Sequence, residues 1–235
     1  VRDKETIDIE LQVKDLETLI NKRDKYTKIA NTGDKEARKI LESINKYISH
    51  LNKGESARSM IASDNDIKAI EDLNLLTFKP ILYVCNVDEI AIKNGSIHVD
   101  SVKESIKDEN AELLLIATAI ESEIAELEDL EEQKIFLEEM GLTEPGVHKL
   151  IKSTYKLLNL QTYFTAGEKE VRAWTITKGM KAPKAAGVIH SDFEKGFIRA
   201  EVISYNDFNK YESELACKEL GKIKIQGKDY IVEDG

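Results

Sequence analysis

The sequence predicts a mixed α+β protein in three parts. Two long helical stripes separated by a glycine-containing turn open the chain. A buried strand, a helix and a second buried strand occupy its middle, and short strands with glycine turns follow. At 235 residues the chain is long enough for more than one domain. Hydrophobic residues make up 41% and charged residues 33%, the balance of a soluble globular protein with long exposed helices. No apolar run approaches the roughly 20 residues of a membrane span, and the amino terminus carries no signal-peptide pattern. A cytoplasmic location and no membrane partner are therefore expected. The net charge of −10 argues against a nucleic-acid coat and gives no reason to expect DNA specificity, but it allows a local basic patch. Cys85 and Cys217 lie in apolar surroundings without Cys-x-x-Cys spacing, which reads as two reduced, buried thiols.

Residues 1–55 are read as a helical hairpin, or short coiled coil. Ile9, Val13, Leu16, Leu19, Ile20, Tyr26 and Ile29 have helical spacing within 6–31. Thr32-Gly33-Asp34 supplies a stop and a new N-cap, and a second stripe follows at Ala37, Ile40, Leu41, Ile44, Tyr47, Ile48 and Leu51. Two helices joined by so short a turn run antiparallel. Lys22, Arg23, Lys25, Lys28, Lys35, Arg38 and Lys39 gather at the turn end. The plain reading is a solvated, charged tip; the sharper one is a basic finger for phosphate, RNA above all.

Residues 56–158 hold the parallel crossover. An apolar run from Leu75 to Cys85 ends abruptly in Asn86-Val87-Asp88-Glu89, the pattern of a buried strand that delivers side chains to a ligand at its carboxyl end. A helix over 99–107 leads to a second strand over 112–117, which ends in Thr118-Ala119. This amounts to half of a nucleotide-binding sheet. Nine acidic residues from Glu121 to Glu139 read as a solvated face, because no sugar-binding aromatics accompany them. Pro145-Gly146 opens another helix.

Residues 159–235 switch to strands. A hairpin over 160–176, a helix over 182–188, a strand over 197–203, a mostly helical 205–220 and a last strand over 228–232 describe a ubiquitin-like roll. Trp174, Tyr163, Phe164, Phe193 and Phe197 are its expected core rather than a base-stacking platform. His190 is read as a turn histidine, and His50, His98 and His148 lack partners at ligand spacing, so no metal site is assigned.

An Asn with a carboxylate three positions on, in the loop after a parallel strand, can read the edge of a purine. The amide meets ring nitrogens, and the carboxylate accepts from N–H donors. Backbone N–H groups at Thr118-Ala119 could meet the same base. Asn86, Val87, Glu89, Thr118 and Ala119 are accordingly the candidate base-binding residues.

The run Leu76-Thr77-Phe78-Lys79-Pro80-Ile81-Leu82-Tyr83-Val84-Cys85-Asn86-Val87-Asp88-Glu89 resembles the Obg-like ATPases, the YchF branch of the translation-factor P-loop GTPases. So do Leu158-Asn159-Leu160-Gln161-Thr162-Tyr163-Phe164-Thr165-Ala166-Gly167, Val171-Arg172-Ala173-Trp174-Thr175 and His190-Ser191-Asp192-Phe193-Glu194-Lys195-Gly196-Phe197-Ile198-Arg199-Ala200. The resemblance implies a G domain with an inserted helical hairpin and a carboxyl-terminal TGS domain of the β-grasp kind. It also implies ATP (or GTP) and Mg2+ as cofactors of the complete protein, and the ribosome or RNA as a partner. The wider superfamily reads guanine with Asn-Lys-x-Asp; here Val87 stands for the Lys and Glu89 for the Asp, a replacement the family associates with ATP. Thr118-Ala119 would be the fifth motif.

Neither the Gly-x-x-x-x-Gly-Lys-[Ser/Thr] phosphate loop of that family nor its Asp-x-x-Gly switch occurs in these residues. The chain is expected to begin just before the hairpin, to stop before the usual last strand, to contain no catalytic residue and to be inactive alone. Two other readings stand beside an ATP-preferring, ribosome-associated switch: a translation-associated GTPase, and an RNA- or ribosome-binding module of hairpin and TGS domain controlled by nucleotide.

Overall fold

A computed structural model describes residues 1–109, 111–167 and 169–235. These divide into two compact units, Val1–Leu150 and Ile151–Gly235. No helix among the described residues is long and apolar enough to cross a membrane.

The first unit opens with helices α1 (Arg2–Ala30) and α2 (Lys35–Leu51), packed along each other. The Asp34 carboxylate caps α2 by accepting from Ala37 N at 3.0 Å. Their shared stripe, Leu19, Ile44, Tyr47 and Leu51, forms one core with Ala57, Ile70 and Leu75 from the chain that follows. Helix α3 (Asp64–Lys68) sits against α2. A capping box at Ser63 and Asp66 starts it, and Lys46 of α2 bonds the Asp66 carboxylate at 2.9 Å. That lysine, with Ser63 and Ser43, holds the Asp66 carboxyl below the ordinary carboxylate range.

Strand β1 is shorter than the sequence suggests, covering only Leu82–Asn86. The preceding Leu75 to Lys79 docks on the hairpin instead. Asp15, buried in the middle of α1, accepts from Leu76 N and Thr77 N at 2.7 Å each and from Thr77 Oγ1 at 2.7 Å. Backbone donors committed to a carboxylate are withdrawn from any strand ladder, and Pro80 has none to give. Helices α4 (Glu89–Asn94) and α5 (Ile97–Ser105) lead to β2 (Glu112–Ile116). β2 pairs parallel with β1, Asn86 opposite Ile116. Helices α6 (Thr118–Ala125) and α7 (Leu130–Glu139) bury Ile124, Leu137, Met140 and Leu142 in a second small core, and α8 (Gly146–Leu157) follows. The acidic run thus lies on an amphipathic helix pair.

The second unit holds the antiparallel hairpin β3 (Leu160–Ala166) and β4 (Val171–Thr177), with Tyr163 opposite Trp174. Helix α9 (Ala182–Ile189) follows it, and Tyr163 Oη donates to Ala185 O at 2.9 Å. Next come α10 (Ser191–Lys195), β5 (Ala200–Val202), α11 (Tyr205–Tyr211), α12 (Glu214–Glu219) and β6 (Lys224–Gln226). The last strand falls four residues earlier than the sequence suggests: β6 pairs antiparallel with β5, whereas Ile231 makes only an isolated bridge to Lys181. The expected strand over 197–203 shrinks to three residues, and Ile198 is left 80% exposed. Of the expected aromatic core, Tyr163 and Trp174 are half-buried, and Trp174 Nε1 donates to Thr165 Oγ1 at 2.9 Å. Phe164 and Phe193 lie exposed.

Replacing Asp15 by Ala strands three donors that the fold encloses, and a loss of about 3 kcal/mol in unfolding free energy is expected from urea titration. Hydrogen exchange should localise the damage to the Leu76 and Thr77 amides, and Asp15→Asn, which keeps one oxygen, should lose less.

Candidate purine site and hairpin tip

Parallel strands bring their carboxyl ends to one rim, and that is where Asn86 and Thr118 meet. Val87 N donates to Ile116 O at 2.9 Å, extending the ladder by one bond and fixing the chain just beyond Asn86. Asn86 Oδ1 then accepts twice from Thr118, from its N at 3.2 Å and from its Oγ1 at 2.8 Å. A backbone N–H is an obligatory donor, so the atom it meets must be the amide oxygen. Asn86 Nδ2 consequently makes no hydrogen bond among the described residues and is available to an acceptor. Asn86, Thr118 and Ala119 are exposed, and Val87 is half-buried.

The two carboxylates of the motif are differently engaged. Asp88 is the N-cap of α4, accepting from Ala91 N at 2.8 Å. Glu89 is the first residue of that helix, and its Oε1 accepts from Lys93 Nζ at 3.1 Å. The structure therefore joins Asn86 to Thr118 but does not join Glu89 to either of them.

Behind the rim, one residue outside the expected site organises the turn. Glu121 Oε1 accepts from Ala117 N at 3.2 Å, and its Oε2 accepts from Gly146 N at the start of α8. The sequence hides Glu121 at the head of an acidic run. Its one visible signal is Thr118-Ala119-Ile120-Glu121, the Thr-x-x-Glu spacing of a helix start.

At the far end of α1 the seven basic candidates separate into groups. Lys22 belongs to the base of the fold: it is mostly buried, donates to Ala69 O at 2.8 Å and pairs with Asp72. That engagement removes it from the exposed tip. Arg23 pairs with Asp24 at 2.9 Å and Lys39 with Glu36 at 2.8 Å, while Arg38 Nε reaches Ala30 O at 3.5 Å. Lys25, Lys28 and Lys35 are exposed and form no ion pair among the described residues.

Comparison with known proteins agrees with this architecture. A family model named YchF-GTPase_C, described as a protein of unknown function (DUF933), matches residues 160–235. The solved structure of the Schizosaccharomyces pombe YchF GTPase superposes with a TM-score of 0.87 at 34% identity, over 100% of this chain and 64% of that one. The fold is thus that of a mixed helix-and-strand YchF-type GTPase structure. Ribosome-binding ATPase YchF of Bacillus subtilis is 47% identical over 237 residues, and that of Haemophilus influenzae is 48% identical over 233. Over its whole length the chain is similar to these YchF proteins, and it spans about 64% of their length.

Gly146 is where α8 can approach the rim. A Cβ there would lie 2.7 Å from Glu121 Oε1 and 2.8 Å from Ile116 Cγ2. Gly146→Ala is expected to cost about 2 kcal/mol in chemical denaturation. Gly227→Ala, where no atom lies within 4 Å of the added carbon, serves as the comparison and should stay near neutral.

Proposed function

We propose that this chain is the base-reading and partner-contacting portion of a ribosome-associated P-loop nucleoside triphosphatase that prefers ATP to GTP and acts as a regulatory switch. The observation that carries the reading is the Asn86 amide, fixed by Thr118 at the carboxyl end of a parallel strand pair with Nδ2 left to donate. Sheets bind ligands at that rim. The relatives' names, ribosome-binding ATPase, supply the reaction class and the partner.

Residues 1–55 serve as the hairpin, 56–158 as the carboxyl-terminal part of a G domain, and 159–235 as a TGS domain of the β-grasp kind. Support for the middle assignment is physical. Parallel sheets are normally covered on both faces and contain more than two strands, yet Val84 of β1 is 46% exposed. A larger sheet would cover it.

The purine choice follows from donors and acceptors. Guanine offers N1–H and N2–H groups that need a carboxylate, whereas adenine lacks both, and the acceptor N7 is common to the two bases. The donor at Asn86 can meet N7 of either base, so the choice rests on the carboxylate that guanine's donors need, and Glu89 shares its own with Lys93. The residues present therefore fit the base of ATP: Asn86 with Thr118-Ala119 would hold it, flanked by Val87. Phosphates and Mg2+ would be held by a phosphate loop, a motif these 235 residues do not contain. Transfer of the γ-phosphoryl group to water is the chemistry that the bound nucleotide and metal supply. What this chain contributes is base recognition.

The exposed cations at the tip favour an RNA-facing role for the hairpin. Lys25, Lys28 and Lys35 form no ion pair among the described residues, which leaves their charges to an incoming phosphate.

Two measurements follow. In the full-length polypeptide, Val87→Lys combined with Glu89→Asp should move the ATP-to-GTP affinity ratio toward GTP by tenfold or more in calorimetric titrations; an unmoved ratio overturns the base assignment. Neutralising Lys25, Lys28 and Lys35 together should weaken ribosome pelleting and flatten its log–log salt dependence by about 0.7 per lost phosphate contact. Lys22→Ala should act chiefly on stability, through its loss to Ala69 and Asp72.

A further inference from the structure

Asn86 can present its amide in either of two orientations, and only one leaves the N–H2 group for a ligand. The choice depends on Thr118, both of whose donors must point at Oδ1. Thr118 is the first residue of α6, reached through Ala117 in a backbone conformation (φ −109°, ψ 72°) that belongs to neither helix nor strand. A turn of that kind keeps its shape only when something outside it holds it.

Glu121 supplies that hold. One carboxylate oxygen accepts from Ala117 N at the turn itself and the other from Gly146 N, the first residue of α8. Ala117 and Gly146 are both buried, so water cannot replace the carboxylate at either N–H. Absence of a side chain at Gly146 is what permits the approach, since a Cβ there would collide with the same carboxylate.

We infer that Glu121 is a positioning residue of the purine site: by pinning the β2–α6 turn to the start of α8 it holds Thr118 on Asn86 Oδ1 and so keeps Asn86 Nδ2 turned to the base. This rests on the reading of Asn86 as the base-recognising residue. Glu121 touches no ligand, and its effect passes through Thr118. A linkage follows, because anything that displaces the start of α8 withdraws a partner of Glu121 and weakens the base contact, and base binding resists that displacement by the same amount.

The test is a titration of the isotope-labelled full chain with AMP, followed by NMR at the Asn86 side-chain amide and the Thr118 backbone amide. In the unaltered protein AMP should shift both signals. Glu121→Ala should weaken AMP at least tenfold and, before any AMP is added, move the Asn86 side-chain signals toward those of a freely exchanging amide. Glu121→Gln keeps one acceptor oxygen and should fall between the two. Glu123→Ala, one turn away from neither contact, should change nothing. If Glu121→Ala is folded and retains both the Asn86 signature and AMP affinity within twofold, the inference is overturned; if it does not fold, the same result from Glu121→Gln overturns it. A purely structural glutamate would lower stability without moving the Asn86 signals. Absence of any AMP shift at Asn86 and Thr118 in the unaltered protein overturns the purine-site reading itself, a different result from intact binding that ignores Glu121.

Discussion

A carboxylate in the middle of a helix joins the hairpin to everything that follows it. Asp15 is 2% exposed, and a charge so enclosed persists only where donors surround it. Those donors come from Leu76 and Thr77, 61 and 62 residues away in sequence. Thr77 relays the constraint further: its hydroxyl accepts from Ala57 N at 3.0 Å and its carbonyl accepts from Arg58 N at 3.1 Å. The segment after the hairpin and the segment before β1 are thereby held against the same helix. A hydrophobic patch could have buried a comparable area, but it would have tolerated sliding. Directional bonds to two successive amides fix a register, and β1 starts from that register.

A second polar joint secures the strand itself. Lys4 at the start of α1 bonds Asp8 at 2.7 Å and Glu109 at 2.6 Å, and Tyr83 Oη of β1 donates to Glu109 at 2.8 Å. Burial works against the charge on Lys4, yet the bonds to Asp8 and Glu109 outweigh it and raise its pKa. Glu109 shows the mirror image: burial would raise its pKa, while Lys4 and Tyr83 bring it below the ordinary value. One end of α1 is thus tied to the strand that bears Asn86, and the other end carries Lys25 and Lys28 into solvent. A long helix fixed at its base and free at its tip suits a contact made at a distance from the carboxyl ends of β1 and β2.

Much of this was legible in the sequence, and the failures have physical causes. The hairpin could be read because both stripes repeat at helical spacing and Gly33 marks the turn. The parallel pair could be read because its apolar runs end in polar residues. Leu76 to Lys79 looked like strand because apolar composition carries no information about which partner takes the backbone donors, and Asp15 took them. Lys22 looked like part of the tip by sequence position, yet Asp72 and Ala69 O lie beside it only in the folded chain. The sequence places the final strand over 228–232, where Tyr230-Ile231-Val232 are β-prone, whereas β5 finds its partner at Lys224–Gln226. Glu121 was lost among acidic neighbours, since a count of charges cannot separate the one that folds inward from those that face water.

Both carboxylates of Asn86-Val87-Asp88-Glu89 have partners within α4. Asp88 spends its carboxylate on the start of α4, and Glu89 shares its own with Lys93 along the same helix. An exposed i,i+4 ion pair contributes only about 0.3–0.5 kcal/mol, so Lys93 holds Glu89 weakly. Asn86 differs in kind, because its oxygen is held by two donors of one residue and its nitrogen makes no hydrogen bond among the described residues. What the fold leaves uncommitted at the end of β1, among the described residues, is therefore the Asn86 amide nitrogen rather than a carboxylate.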